Sequence, residues 1–363
     1  MNVKNFLFLV ITILLLEVFC QIALIIFGDN KFSILFKPLS NQISKFQTDY
    51  LINWDYENNK MKPGSYISNT GVKYKINSKG FRGKEFEFKK SSKRILAFGG
   101  STTIGLESPE NKTYPALLEK MLKQNKKEYE VINMGFGSKS INFIKNLLFN
   151  EAYKYKPDII IIYSNRNSLM YDGAYVDPNI SSSQLLKINY KLQENIMIYR
   201  LMFKIYKRII NLQLKSGYLK APFTSKGINE EYLNSGYVNS LKEIIKFCEK
   251  KGIEVFLVKQ AYYFNKNIIE ELNNYSSAEL IKNYKNDFYL KKYNLDEETN
   301  FWSVMGTVLN KNLDILKDYK NVKIINPINA LITSEKNFTD YLHLTPAGNF
   351  ILATEISKEI QKL

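Results

Sequence analysis

The single histidine of the chain, His343, lies in the run Asp340-Tyr341-Leu342-His343-Leu344-Thr345-Pro346-Ala347-Gly348. An Asp and a His three residues apart can meet on one turn. The carboxylate then holds one ring nitrogen while the other takes a proton from a hydroxyl. A hydroxyl suited to that partnership lies far upstream, in Phe98-Gly99-Gly100-Ser101-Thr102-Thr103-Ile104-Gly105. Several readings of this glycine-rich stretch compete. A dinucleotide-binding turn needs G-x-G-x-x-G and an acid closing the second strand. Here the spacing differs, and that strand ends Asn133-Met134-Gly135. A phosphate loop needs G-K-[ST], whereas Gly105 is followed by Leu106-Glu107. The remaining readings are a turn that projects Ser101 as a nucleophile and a plain tight turn.

Composition narrows the chemistry. With one His and two Cys in 363 residues, an ordinary zinc site would have to be built almost wholly from carboxylates, which zinc rarely accepts. Cys20 and Cys248 form no C-x-x-C pair, so neither a disulfide framework nor a redox motif is expected. No metal or cofactor motif competes with the Ser/His/Asp set, and no cofactor is expected. The formal charge of +16 favours an anionic partner. Only Arg82, Arg94, Arg166, Arg200 and Arg208 contribute arginine, and the rest is Lys scattered along the chain. Readers of nucleic acid concentrate Arg for base and phosphate contacts, so no nucleic-acid partner is expected.

These side chains need a scaffold. Arg94–Phe98, Tyr129–Met134, Asp158–Tyr163, Glu254–Lys259 and Val322–Asn326 read as strands, the third carrying four consecutive Ile. Helical periodicity runs through Thr113–Lys123, Ile141–Tyr155, Tyr232–Lys251 and Pro346–Lys362, with Pro346 suited to a first turn. Apolar strands alternating with amphipathic helices predict a parallel sheet covered on both faces, a three-layer α/β/α domain over 94–363. Long insertions at about 170–230 and 262–312 interrupt the alternation. The first carries a basic amphipathic segment, Gln184–Lys215. Residues 28–93 read as a linker and a small β-rich pre-domain ending in Asn77-Ser78-Lys79-Gly80-Phe81-Arg82.

The N-terminal run Phe6–Phe27 is broken only by Thr12, Glu17 and Gln21. A helix needs about 20 apolar residues to cross a bilayer, and a cleaved signal has a shorter apolar core with a small-x-small site. An uncleaved transmembrane anchor over 6–27 is therefore expected, which makes the membrane a partner. Lysines flank both sides, so charge does not settle orientation.

Taken in order, Gly-Gly-Ser-Thr-Thr after the first strand, Asn-x-Gly after the second, an Asn-containing turn after the third and D-x-x-H-L-T-P-x-G at the end resemble the SGNH/GDSL hydrolase superfamily. The resemblance spans 94–363, and Asn77–Arg94 is similar to the segment that precedes the serine in the membrane-anchored bacterial branch. It implies a flavodoxin-like sheet, with Ser101 as nucleophile and Asp340 and His343 completing a triad. It also implies an oxyanion hole from the Ser101 backbone N–H, Gly137 or Ser138, and the Asn167 side chain. Ser138 stands where the family has glycine. In Asn165-Arg166-Asn167-Ser168, Asn165 and Ser168 stand where the family has Gly and Asp.

The function implied is a membrane-anchored serine esterase, its domain outside the cytoplasmic membrane, removing O-acetyl or other O-acyl groups from an envelope glycan. Three alternatives stay open: an O-acyltransferase using the same triad, a lipid esterase, and a degenerate glycan-binding or assembly protein. Protein partners are unknown.

Overall fold

The computed structural model describes residues 60–68, 71–124, 128–169, 230–264 and 266–363, with a few scattered positions before 60 and between 191 and 203. The chain divides into two units, 1–59 with 179–221 and 60–178 with 222–363. Nearly all described residues belong to the second. The expected anchor over 6–27 lies largely outside the described residues, as does Gln184–Lys215. Within the run 6–27, Phe8, Thr12 and residues 15–19 are helical. No described helix is long and apolar enough to cross a membrane.

The second unit opens with a hairpin of β1 (Gly64–Ile67) and β2 (Lys73–Ile76), paired antiparallel with Tyr66 opposite Tyr74. Residues 60–93 belong to the same compact unit as the residues that follow. Arg82 bridges back to both Ile76 and Asn133. The chain then enters a five-stranded sheet of β3 (Lys93–Gly99), β4 (Tyr129–Gly135), β5 (Ile159–Tyr163), β6 (Glu254–Val258) and β7 (Val322–Ile325). The order is β4-β3-β5-β6-β7 and every pairing is parallel. This is the doubly wound order in which the crossover direction reverses between β3 and β4 on one side and β5 on the other. Sites form outside the carboxyl ends of the strands at such a reversal.

Both faces are buried because the strands carry apolar side chains on both. Ile95, Ala97, Val131, Ile159, Ile161, Tyr163, Phe256 and Val258 pack with Leu117, Leu118, Leu122, Leu352, Ala353, Ile356 and Ile360. Those partners come from α2 (Tyr114–Gln124) and α6 (Pro346–Ile360). The alternate residues Leu96, Phe98, Ile160 and Ile162 are equally buried. Their side of the sheet is served by α3 (Ile141–Asn150) and α4 (Tyr237–Lys250), which pack on each other. Each fully buried Ile of β5 contributes about 2–3 kcal/mol of transfer free energy, so this central strand anchors the sheet.

Two further helices bear on the site. Helix α1 (Ser101–Ile104) is a single turn directly after β3. The 262–312 stretch is mostly helical and ends in α5 (Glu297–Asn312), whose Trp302, Met305 and Val308 are buried.

Candidate active site

Helix α1 starts where β3 ends, so Ser101 stands at the carboxyl edge of the sheet. That short turn is braced from several directions. Asn133, at the carboxyl end of β4, donates its side-chain amide to Thr103 O (3.0 Å) and accepts from Gly135 N (3.0 Å). Gly135 lies so near α1 that a Cβ there would stand 2.2 Å from Ile104 N. Arg82 is almost fully buried and gives three hydrogen bonds to carbonyls after the serine turn: Ile104 O (2.7 Å), Gly105 O (2.5 Å) and Ser108 O (2.7 Å). A helix leaves its last carbonyls without intrahelical partners. A guanidinium, with five donors in a fixed fork, can serve several at once.

The histidine arrives on the loop before α6. Asp340 Oδ1 accepts from the backbone N–H of Leu342 and of His343, both at 2.7 Å, which folds Asp340–His343 into a turn. The other carboxylate oxygen lies 2.7 Å from His343 Nδ1, and His343 Nε2 lies 2.8 Å from Ser101 Oγ. Thr345 caps α6 by accepting from Gly348 N, and Pro346 occupies its first turn. Asn349, on the first turn of α6, donates to Ser108 Oγ (3.0 Å) and to Leu344 O (3.3 Å). Ser108 therefore links the Arg82 clamp to the histidine loop.

The electrostatics favour one protonation state. Burial acts to raise the Asp340 pKa, but the hydrogen bonds and charge of His343, together with two backbone N–H groups, bring it down to about 2. Asp340 is thus ionised at neutral pH. Burial acts to lower the His343 pKa, and Asp340 and Glu107 outweigh it, so the imidazole holds its proton more tightly than a free histidine. Arg166 opposes that rise. With Asp340 accepting at Nδ1, the neutral ring carries its proton there and presents the Nε2 lone pair to Ser101.

The remaining expected residues come to the same edge. Asn167 sits directly over Gly100, where a Cβ would come within 2.4 Å of its Nδ2. That amide donates to Lys139 O (3.1 Å), tying the turn after β5 to the loop after β4. In that loop Gly137 is buried, and Ser138 is exposed with φ at 56°. This left-handed conformation suits glycine, and a non-glycine residue adopts it uncommonly. Lys139 beside it packs against the Phe143 ring (4.9 Å), and burial lowers its ammonium pKa to about 8.

The two residues at unexpected positions in the third block have partners. Asn165 is buried in a polar network. Its backbone N and that of Arg166 both donate to Gln260 Oε1 (3.0 Å), and its side chain donates to Asn310 Oδ1 (3.0 Å) and accepts from the Tyr262 hydroxyl. Gln260 in turn donates to Thr102 Oγ1 (3.3 Å) on α1. Ser168 Oγ accepts from Ile141 N (2.9 Å), the first residue of α3. A fully paired buried network rigidifies what it touches.

Arg82, Gln260 and Asn310 were not foreseen as parts of the site. Arg82 lies in Asn77–Arg94, the segment whose resemblance is given by the sequence. Gln260 and Asn310 gave no local signal, since a polar residue after a strand or within a helix is ordinary. Among the described residues, no group of three or more His, Cys, Asp or Glu could hold a metal ion.

No family model and no curated protein matches the chain. Among solved structures, a lipolytic protein of the G-D-S-L family from Veillonella parvula is 13% identical, with a TM-score of 0.43, covering 75% of this chain and 100% of that one. The lipase/acylhydrolase from Enterococcus faecalis is 15% identical with a TM-score of 0.42, covering 74% and 96%. An acetyl xylan esterase is 16% identical with a TM-score of 0.35, covering 74% and 99%. The chain's structural neighbours include GDSL lipolytic hydrolases. With every TM-score quoted below 0.5, the chemistry rests on the geometry of Ser101, His343 and Asp340.

Proposed function

We propose that the chain is a serine esterase of SGNH type. The observation that carries this reading is the aligned set Ser101 Oγ–His343 Nε2 (2.8 Å) and His343 Nδ1–Asp340 Oδ2 (2.7 Å). It stands at the carboxyl edge of a parallel sheet, beside a buried Asn side chain.

In the proposed reaction Ser101 Oγ attacks the ester carbonyl and its proton passes to His343 Nε2. Asp340 stays ionised and stabilises the imidazolium. The negative charge on the carbonyl oxygen is received by the Ser101 backbone N–H, the Asn167 side-chain amide and a backbone N–H of Gly137 or Ser138. Asn167 would turn from Lys139 O toward that oxygen. His343 then protonates the departing alcohol, leaving an acyl-serine. Water repeats the sequence through the same base and releases the acid, restoring Ser101.

The substrate we propose is an O-acetyl or other O-acyl group on a cell-envelope glycan, met outside the membrane by a domain held on an N-terminal anchor. The sequence resemblance supports the glycan, and the apolar run 6–27 supports the anchor. The test is a screen of aryl acetates and acetylated polysaccharides with wild type, Ser101→Ala and His343→Ala, alongside labelling by a fluorophosphonate. Turnover and labelling that vanish in Ser101→Ala support the reading. Well-folded wild type that neither labels nor turns over any ester overturns it. Repeating the screen with a glycan acceptor separates hydrolysis from transfer: free acid alone counts against a transferase.

A further inference from the structure

Arg166 lies between Asn165 and Asn167 and reaches toward the loop that carries Asp340 and His343. Its Nε donates to the Tyr341 hydroxyl (2.8 Å), one residue from Asp340. The guanidinium stacks 4.3 Å from the centroid of Trp302 and 5.7 Å from that of Tyr341. Its backbone N is held by Gln260. The side chain is thus fixed by an aromatic slot and one neutral hydrogen bond. Among the described residues no carboxylate pairs with it, and its two terminal nitrogens have no acceptor.

This arrangement is costly for a plain esterase. A half-buried cation without a counter-charge bears a desolvation penalty. The charge also works against the mechanism, because it opposes protonation of His343, and the imidazolium must form in the step that makes the acyl-serine. Packing alone does not account for the charge, since a neutral side chain could fill the slot between Trp302 and Tyr341. An anion on the substrate would settle both matters. It would pair with the terminal nitrogens, which match a carboxylate or phosphate in a planar, bidentate fashion. It would also cancel the field at His343 when the substrate is bound. The net charge of +16 draws anions toward the molecule in general, and Arg166 supplies a fixed point to receive one.

We propose that Arg166 is an anion-recognition residue and that the ester it serves carries a carboxylate or phosphate within reach of its terminal nitrogens. This rests on the esterase reading above and narrows its substrate to acidic acyl esters, such as an O-acylated acidic glycan.

Two matched pairs of probes test it on the full chain. 4-Acetoxybenzoate against 4-acetoxybenzamide places the charge on the alcohol side. Mono-4-nitrophenyl succinate against 4-nitrophenyl pentanoate places it on the acyl side. In wild type the anionic member of at least one pair is expected to have the higher kcat/KM, by about tenfold or more and mainly through KM, the size of one modest ion pair. In Arg166→Gln that ratio collapses by about tenfold, and in Arg166→Lys part of it survives because the charge remains while the fork is lost. Absence of any anionic preference in wild type overturns the proposal. So does a ratio that stays the same in Arg166→Gln, or a loss in that variant shared equally by both members of a pair, which is what a structural role alone predicts. Ser101-dependent turnover without charge preference sinks this inference and leaves the esterase standing. No turnover of any probe sinks the esterase reading and this one with it.

Discussion

The side-chain amide of Asn167 lies over Gly100, at a distance that leaves no room for a Cβ on the glycine. The residue beside the proposed nucleophile is thus shaped to admit a proposed oxyanion donor. The backbone of Gly100, with φ −88° and ψ −147°, does not itself demand glycine, so the reason is steric. Gly100→Ala is expected to push the amide aside and lower kcat by about 10²–10³, the usual cost of one oxyanion donor. Thermal unfolding should change little. Gly135→Ala differs in kind, because its Cβ would meet backbone, 2.2 Å from Ile104 N. It is expected to lower the unfolding midpoint as well as activity. Full activity in Gly100→Ala would remove Asn167 from the site.

Asp340→Asn tests the orientation of the proposed base, His343. The amide can still accept from the Leu342 and His343 backbone N–H groups, so the turn should persist. The negative charge facing His343 Nδ1 is lost, and with it the preferred tautomer. A fall in kcat of about 10³–10⁴ is expected, with a native circular dichroism spectrum. A mild loss would show that His343 does not depend on this partner.

The rate should depend on pH through His343, which must be neutral to accept the serine proton. Its folded pKa is raised above the ordinary histidine value, so the acid limb of kcat/KM is expected above about 6.5. Glu107 contributes to that rise, and Glu107→Gln should move the limb to lower pH. The linked stability has the same sign. The preference of the fold for protonated His343 is fully present below the unfolded pKa and is lost as pH rises through the folded one. Asp340 runs the other way: its contribution is present above the ordinary carboxylate value and is lost as pH falls toward about 2. A limb at or below the free-histidine value, measured with a neutral aryl acetate, would contradict this picture.

Arg82→Met removes three hydrogen bonds to carbonyls around α1 and leaves those oxygens poorly served. Each buried polar group so orphaned costs about 1–3 kcal/mol, partly relieved by relaxation, and a loss of about 2–4 kcal/mol is expected in urea unfolding. Activity measured well below the midpoint should also fall, because the clamp holds the turn that carries Ser101. Arg82→Lys, with one compact ammonium in place of the fork, should recover only part of the stability.

Much of this molecule was legible from short-range pattern. The five strands fall close to the predicted runs, and the clearest is β5, because a strand buried on both faces must be apolar throughout, whereas the edge strand β7 keeps Lys323 exposed. The Asp340–His343 turn was legible too, since its hydrogen bonds span three residues or fewer. The helices within 262–312 were not foreseen, because Lys, Asn and Tyr dilute their apolar stripe. Their starts did carry a signal, in the capping box Ser276–Glu279 and in Asp296 accepting from Thr299 N.

The sequence by itself determined that only His343 could serve as an imidazole base, that an Asp would stand beside it, and that strands and helices would alternate. Tertiary structure decided the rest. Ser101 and His343 are 242 residues apart and meet only because α1 leaves β3 at the edge where the loop before α6 returns. Asn165, Gln260 and Asn310 pair across 50–145 residues, and Arg82 finds its carbonyls 22–26 residues on. Periodicity and turn chemistry act over a few residues, whereas the partner of a buried polar group is set by the topology that brings distant segments together. The charge of Arg166 was visible in the sequence, but its place against Tyr341 and Trp302, with no carboxylate to meet it among the described residues, was not.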